Sequence, residues 1–235
     1  KITKGVKVSK IQSMKQNAKV CLEKKANDEI IKAEKVLLAV GVTGNINNLG
    51  LEDLGIETEA GAIKTDNYNR TNIENIYAIG DVCGPPWLAH VASAQGHLAA
   101  EHSAGLNVNP IDYSNIPGCT YCQPQVGSLG MTEEQALSSG FKVKVGRFSF
   151  QASGKAMAIG NTIGFVKLIF DEKYGELLGA HIVGSEATEM IAELGMAKAL
   201  ESTWDDLSMT VHAHPTLSEA IMEAAMDAQG HSIHQ

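Results

Sequence analysis

Three strand-length runs in the second half of the chain do most to limit what it can fold into. Val143 to Phe150, Gly164 to Phe170 and Leu177 to Val183 are rich in β-branched, aromatic and aliphatic residues, and Lys173-Tyr174-Gly175 forms a turn between the last two. Together they predict an antiparallel sheet. A long helix follows over Ser185 to Glu201, with Met190, Ile191, Leu194, Ala197 and Leu200 on one apolar face. Gly195 and Ala199 leave room on it for close packing. Trp204-Asp205-Asp206-Leu207 breaks from that helix, and a last helix covers Leu217 to Ala228. Ahead of the strands, Thr132-Glu-Glu-Gln-Ala-Leu137 reads as a capped helix that ends at Gly140. Residues 116–235 therefore predict an antiparallel sheet with helices, an α+β unit.

The first half has a different texture. Residues 1–45 read as β-rich: Ile2 to Met14 and Lys19 to Lys25 alternate in part, and Ala26-Asn27-Asp28 is a turn before Glu29. Val36-Leu-Leu-Ala-Val40 is apolar on both faces, the pattern of a buried strand in an α/β sheet. Gly41-x-x-Gly44 then makes a plain turn, since it lacks the dinucleotide-binding pattern. Residues 46–115 form a second unit. Leu49 to Leu54 is a short helical piece that stops at Gly55. Ile76-Tyr77-Ala78-Ile79 has strand character and runs into Gly80-Asp81, which would place the aspartate at the ligand-binding rim of a parallel sheet. A helix covers Leu88 to Ser103, on which His90 and His97, seven apart, share a face as partly buried polar residues. The fold class expected is α/β: partial nucleotide-binding units followed by the α+β unit.

With Lys+Arg 19 against Asp+Glu 27 the formal charge is −8, so no basic footprint points to nucleic acid or an anionic membrane. No apolar run approaches the length needed to span a bilayer, and no signal peptide is visible. The chain begins at Lys1 inside a polar segment, which suggests a fragment or a processed chain. Its cysteines are Cys21, Cys83, Cys119 and Cys122, few enough to suggest a reducing compartment. Cys119-x-x-Cys122 invites a redox or metal reading. However, residues three apart on a strand point to opposite faces, and Pro124 follows too soon for a helix to open there. His212 with His214, joined by His231 or His234, lacks the fixed geometry of a zinc site, so no metal is expected.

The chemistry concentrates in His212-Ala213-His214-Pro215-Thr216-Leu217-Ser218-Glu219-Ala220. Pro215 biases His214 toward an extended conformation. Thr216 with Glu219 three residues on reads as a capping box that opens the last helix. The first helical turn then brings Glu219 back beside His214. A carboxylate beside an imidazole fixes the ring tautomer and stabilises the imidazolium, which suits a general base.

Taken as a set, His214-Pro215-Thr216-x-x-Glu219, the Thr71 to Asp81 segment and the Pro117 to Glu133 segment resemble the flavin-dependent pyridine nucleotide-disulfide oxidoreductases, in particular their dihydrolipoamide dehydrogenase branch. The resemblance covers the chain but corresponds to the C-terminal half of such an enzyme. It implies that residues 1–45 end an NAD-binding domain, 46–115 complete an FAD-binding domain and 116–235 form a dimerisation domain. It implies FAD and NAD as cofactors, with Gly80 and Asp81 on the ribityl chain and Leu88, Ala89 and His90 facing the flavin ring through backbone amides. Gly41 would lie in the nicotinamide-binding loop, where Val42 stands in place of the family's frequent arginine. His214 would be the acid/base partner of a redox dithiol and Glu219 its orienter. The implied assembly is a homodimer serving lipoyl-bearing subunits of 2-oxo acid dehydrogenase complexes, in bacterial cytoplasm or an organelle matrix. G-x-G-x-x-G and Cys-x-x-x-x-Cys are both absent from this sequence, so the chain alone is expected to be inactive and to hold FAD weakly or not at all. A glutathione-reductase-like enzyme and a non-catalytic dimerisation or scaffold module are the alternatives. A mercuric reductase is disfavoured because no cysteine pair follows Met226.

Overall fold

A computed structural model describes residues 1–23 and 29–234. The expected Ala26-Asn27-Asp28 turn lies outside them. The N-terminal strands β1 (Lys7–Ser13), β2 (Ala18–Glu23) and β3 (Glu29–Ala33) form an antiparallel meander. Every residue of β1 is exposed, so this sheet covers little core.

Val36 to Val40 is not a strand: Leu37, Leu38 and Val40 are 90%, 66% and 89% exposed. A run apolar on both faces needs a neighbouring strand on each edge, and none of the described residues pairs with it. Leu49 to Leu54 forms turns instead of a regular helix. The stop is nonetheless as the sequence predicts: Gly55 has φ 68°, and the Gly55 and Ile56 amides close back on the Glu52 and Leu51 carbonyls in a Schellman pattern. Two short strands, β4 (Thr58–Glu59) and β5 (Ala62–Ile63), pair next. A small core joins Leu51, Ile56, Ile63 and Ala78.

Ile76 to Ile79 does not enter a parallel sheet. Tyr77 makes an isolated antiparallel bridge to Arg70, and the Thr71 and Ala78 amides bond the Ile76 and Asn69 carbonyls. The segment folds back on its own upstream neighbours because these partners lie within ten residues. Gly80–Cys83 then makes a 3₁₀ turn, and α1 spans Ala89–Ser103. It buries Val91, Gln95, Leu98 and Ala99, which leaves His90 and His97 exposed and not partly buried.

The second half folds as its periodicity predicts. β6 (Gly118–Thr120), β7 (Gln125–Gly130), β8 (Val143–Ser149), β9 (Phe165–Asp171) and β10 (Leu177–Gly184) form one antiparallel sheet in the order β6-β7-β10-β9-β8. Val166, Leu168 and Phe170 of β9 face one side, and Ile169 faces the other. The larger core lies under α4 (Ala187–Ala199), α5 (Trp204–Met209) and α6 (Glu219–Ala228). A short α3 (Gly154–Ala158) closes one side of that core through Ala156. The opposite face is covered by α2 (Glu133–Ser138), whose Thr132–Gln135 capping box forms and which ends before Gly140 at φ 88°.

Two glycines let helices lie flat on this sheet. A Cβ at Gly127 would stand 2.6 Å from the Ala187 carbonyl of α4, and one at Gly146 would run into the Ala224 carbonyl of α6. Leu200 departs from the expected apolar face and is 69% exposed, because α4 ends at Ala199 and the chain leaves helical register there.

Candidate active site

His214 sits in the extended segment between α5 and α6, joined to Pro215 by a cis peptide. Its ring Nδ1 lies 2.9 Å from Glu219 Oε1, and the Thr216 amide donates to Glu219 Oε2 at 2.8 Å. One carboxylate therefore binds both the segment's backbone and the imidazole. The expected capping box forms by half. The Thr216 hydroxyl donates to the Ala213 carbonyl at 2.7 Å and caps nothing, and α6 starts from Ser218. The reason is geometric: Thr216 to Ser218 turn before the helix begins, so Thr216 is no longer adjacent to its first residue.

A carboxylate only accepts hydrogen bonds, so Nδ1 of His214 carries the proton and Nε2 is left for chemistry. The His214 side chain is 78% exposed and that of Glu219 27%. Burial works against the charge on Glu219. The Thr216 amide and the His214 ring outweigh it and hold its carboxyl below its ordinary value. Both residues line a cavity of about 290 Å³ with Phe148, Ser153 and Met222. An exposed imidazole with a fixed tautomer and a free nitrogen can take a proton from a thiol.

Two further imidazole–carboxylate pairs escaped the sequence reading. His212, with a side chain 6% exposed, places Nε2 2.7 Å from Glu193 Oε1 of α4 and Nδ1 2.9 Å from the Thr210 carbonyl. His234 places Nδ1 2.6 Å from Glu223 Oε1. Neither pair has a local signature, since the partners meet through tertiary folding across 19 and 11 positions. Among the described residues no group of three or more His, Cys, Asp or Glu is placed to hold a metal ion. All four cysteines are free, and burial pushes the Cys83 thiol up to about 11.

The residues expected to hold a cofactor gather around the start of α1. Gly80 has φ 74°, and its amide donates to Gln95 Oε1 at 2.7 Å. Asp81 is exposed, and its carboxylate makes no hydrogen bond or ion pair among the described residues. Gly44 packs so tightly on the Asp81 backbone that a Cβ would stand 2.9 Å from its carbonyl oxygen. Leu88 is extended and provides no side-chain cap, so Ala89 and His90 begin α1 with uncapped amides and no acidic residue in the first turn. Next to them lies a cleft of about 540 Å³ between Thr43-Gly44 and Cys83 to Trp87. Gly41 stands apart in the open at φ 98°, with nothing within 4 Å of a Cβ built on it.

Residues 1–96 match the model of the pyridine nucleotide-disulphide oxidoreductase family, and residues 116–225 match that family's dimerisation domain. The chain belongs to the pyridine nucleotide-disulphide oxidoreductases. It is 54% identical over 201 residues to a dihydrolipoyl dehydrogenase of Rhizobium etli, covering 85% of this chain and 42% of that one. It is 43% identical over 232 residues to a dihydrolipoyl dehydrogenase of Bacillus subtilis, covering 98% and 49%. The crystal structure of LpdA from Mycobacterium tuberculosis superposes with a TM-score of 0.83 at 25% identity, over 94% of this chain and 48% of that one. The HOCl-induced flavoprotein disulfide reductase RclA of Escherichia coli gives 0.82 at 25% identity, over 93% and 50%. The chain thus spans about half the length of the family members it matches.

Proposed function

We propose that this chain supplies the acid/base pair and the subunit interface of a dihydrolipoamide dehydrogenase, which couples dihydrolipoamide oxidation to NAD reduction. The observation that carries the reading is the double grip of Glu219 on Thr216 and His214. Nε2 of His214 accepts the proton of one dihydrolipoamide thiol, and the thiolate so formed attacks a redox disulfide to give a mixed disulfide and a leaving thiolate. The imidazolium stays charged beside that thiolate, steadied by the Glu219 carboxylate. This sequence holds no Cys-x-x-x-x-Cys, and in the family the histidine serves the disulfide of the other subunit, so the reading requires a homodimer. Met196, Leu200, Met209 and Val211 support it: they stand 64%, 69%, 81% and 95% exposed on α4, just past its end, on α5 and on the approach to His214.

The residues around α1 fit a flavin dinucleotide. The Asp81 carboxylate, without a partner among the described residues, suits a ribityl hydroxyl, and the uncapped start of α1 suits electron-rich ring atoms. When bound, FAD provides the two-electron link between the dithiol and NAD. Gly80, Asp81, Leu88, Ala89 and His90 would hold it. Gly41 would lie toward NAD. The same reading divides the chain into the end of an NAD-binding domain (1–45), part of an FAD-binding domain (46–115) and the dimerisation domain (116–235). Lipoyl-bearing subunits of 2-oxo acid dehydrogenase complexes are the expected partners. The free cysteines suit a reducing compartment, bacterial cytoplasm or an organelle matrix.

The test is His214→Ala in a full-length flavoprotein carrying these residues. Lipoamide-linked turnover should fall by about 10²–10⁴-fold with the flavin spectrum intact, the range of a positioned acid/base group. Unchanged turnover would overturn the assignment.

A further inference from the structure

The tail beyond α6 folds back and closes on Glu223. This glutamate is 3% exposed, and its Oε2 accepts the Ile233 and His234 amides at 3.2 and 3.4 Å. Its Oε1 takes Nδ1 of His234 at 2.6 Å. A buried carboxylate is thereby satisfied by three donors from one short segment, and leaving it unpaired would be costly. The His234 side chain is 67% exposed, and both Glu223 and His234 line the same cavity of about 290 Å³ as His214 and Glu219.

By the tautomer argument used for His214, the proton of neutral His234 sits on Nδ1, and Nε2 is an acceptor. Two acceptor nitrogens, each fixed by its own glutamate, therefore share one cavity. Thiol deprotonation uses the first. The second has no proton transfer to perform, and it suits an N–H donor elsewhere on the same substrate. Phe148, Ala152, Met157 and Met222 give the cavity apolar wall suited to a hydrocarbon arm. A carboxylate in place of an amide would bring no N–H and would meet the negative charges of Glu219 and Glu223.

We propose that His234, held by Glu223, is a specificity-determining residue that accepts the amide N–H of a dithiol substrate and selects amide-linked dithiols over free dithiol acids. The inference rests on the reading of His214 as the thiol's base.

The experiment is an NMR titration of the 235-residue chain, with ¹⁵N-labelled histidine, at a pH well above the ordinary imidazole range. Dihydrolipoamide and dihydrolipoate are the two probes. Dihydrolipoamide should shift Nε2 of both His214 and His234 and bind at least about fivefold more tightly than dihydrolipoate, the worth of one neutral hydrogen bond. His234→Ala, a change at an exposed side chain, should remove that preference by weakening dihydrolipoamide alone. Equal binding of the two probes, or equal weakening of both by His234→Ala, overturns the proposal. A response at His214 without one at His234 overturns it and leaves the acid/base reading standing. Silence at His214, whatever His234 does, removes the acid/base reading and this inference with it.

Discussion

Glu219 holds the Thr216 amide with one carboxylate oxygen and the His214 ring with the other. Glu219→Gln separates these tasks. The amide oxygen of Gln still accepts from Thr216, but its NH₂ cannot accept from Nδ1–H of His214. Stability should change by no more than about 1 kcal/mol, the worth of one hydrogen bond. The ¹⁵N spectrum of His214 should lose its preference for the Nδ1-protonated tautomer. A spectrum that keeps the parent tautomer would show that the carboxylate does not orient the ring.

Acid should weaken the fold in two stages. Burial is the main cause that lowers the pKa of His181 from its ordinary 6.5, so the unfolded chain binds a proton there that the folded chain resists. Stability from His181 is complete above about 6.5 and is lost as pH falls toward the folded value. The carboxyls of Glu133, Asp206 and Glu219 are also lowered. Lys167 is the main cause for Glu133 and the Thr203 amide for Asp206, while at Glu219 the Thr216 amide and His214 overcome an opposing effect of burial. Their share is present above the ordinary carboxylate range of about 4 and is lost below it. Urea midpoints measured from pH 8 to pH 3 should show both declines, and His181→Gln should flatten the upper one.

Glycines at 146 and 195 should respond oppositely to the same substitution. A methyl at Gly146 collides with the Ala224 backbone of α6, so Gly146→Ala should destabilise by about 1–3 kcal/mol and disturb the helix that carries Glu219. A methyl at Gly195 meets nothing within 4 Å inside α4, so Gly195→Ala should stabilise by up to about 1 kcal/mol. Chemical denaturation of both variants checks the pair. Equal effects would show that α6 is not seated on β8 as described.

In solution the chain should form a pair. Light scattering should give about twice the 25.0 kDa of one chain, and Val211→Asp should return it to one. A parent chain that is monomeric at all concentrations would contradict the homodimer. The same sample should show no stoichiometric flavin absorbance.

Local patterns carried much of the second half. The strand-length apolar run along Phe165–Asp171, the turn at Gly175 and the 3.6-residue spacing of Met190, Ile191 and Leu194 are all properties of a few consecutive residues. His214 and Glu219, five positions apart, were legible for the same reason. Val36–Val40 was misread because strand formation depends on neighbours that no local window contains. The Ile76–Ile79 run was misread because its backbone groups bond residues 69–71, a competing partner close in the chain. Glu193 and Glu223 carried no signal, because their imidazole partners arrive only after α4 and the tail are in place.

The bare aliphatic run at Leu37, Leu38 and Val40 has a practical consequence for handling this chain. Contiguous exposed aliphatic side chains favour association between copies. Preparations at high concentration should therefore self-associate through this segment, a process separate from specific pairing through the carboxy-terminal half. A charged residue placed at position 38 should suppress the first without touching the second.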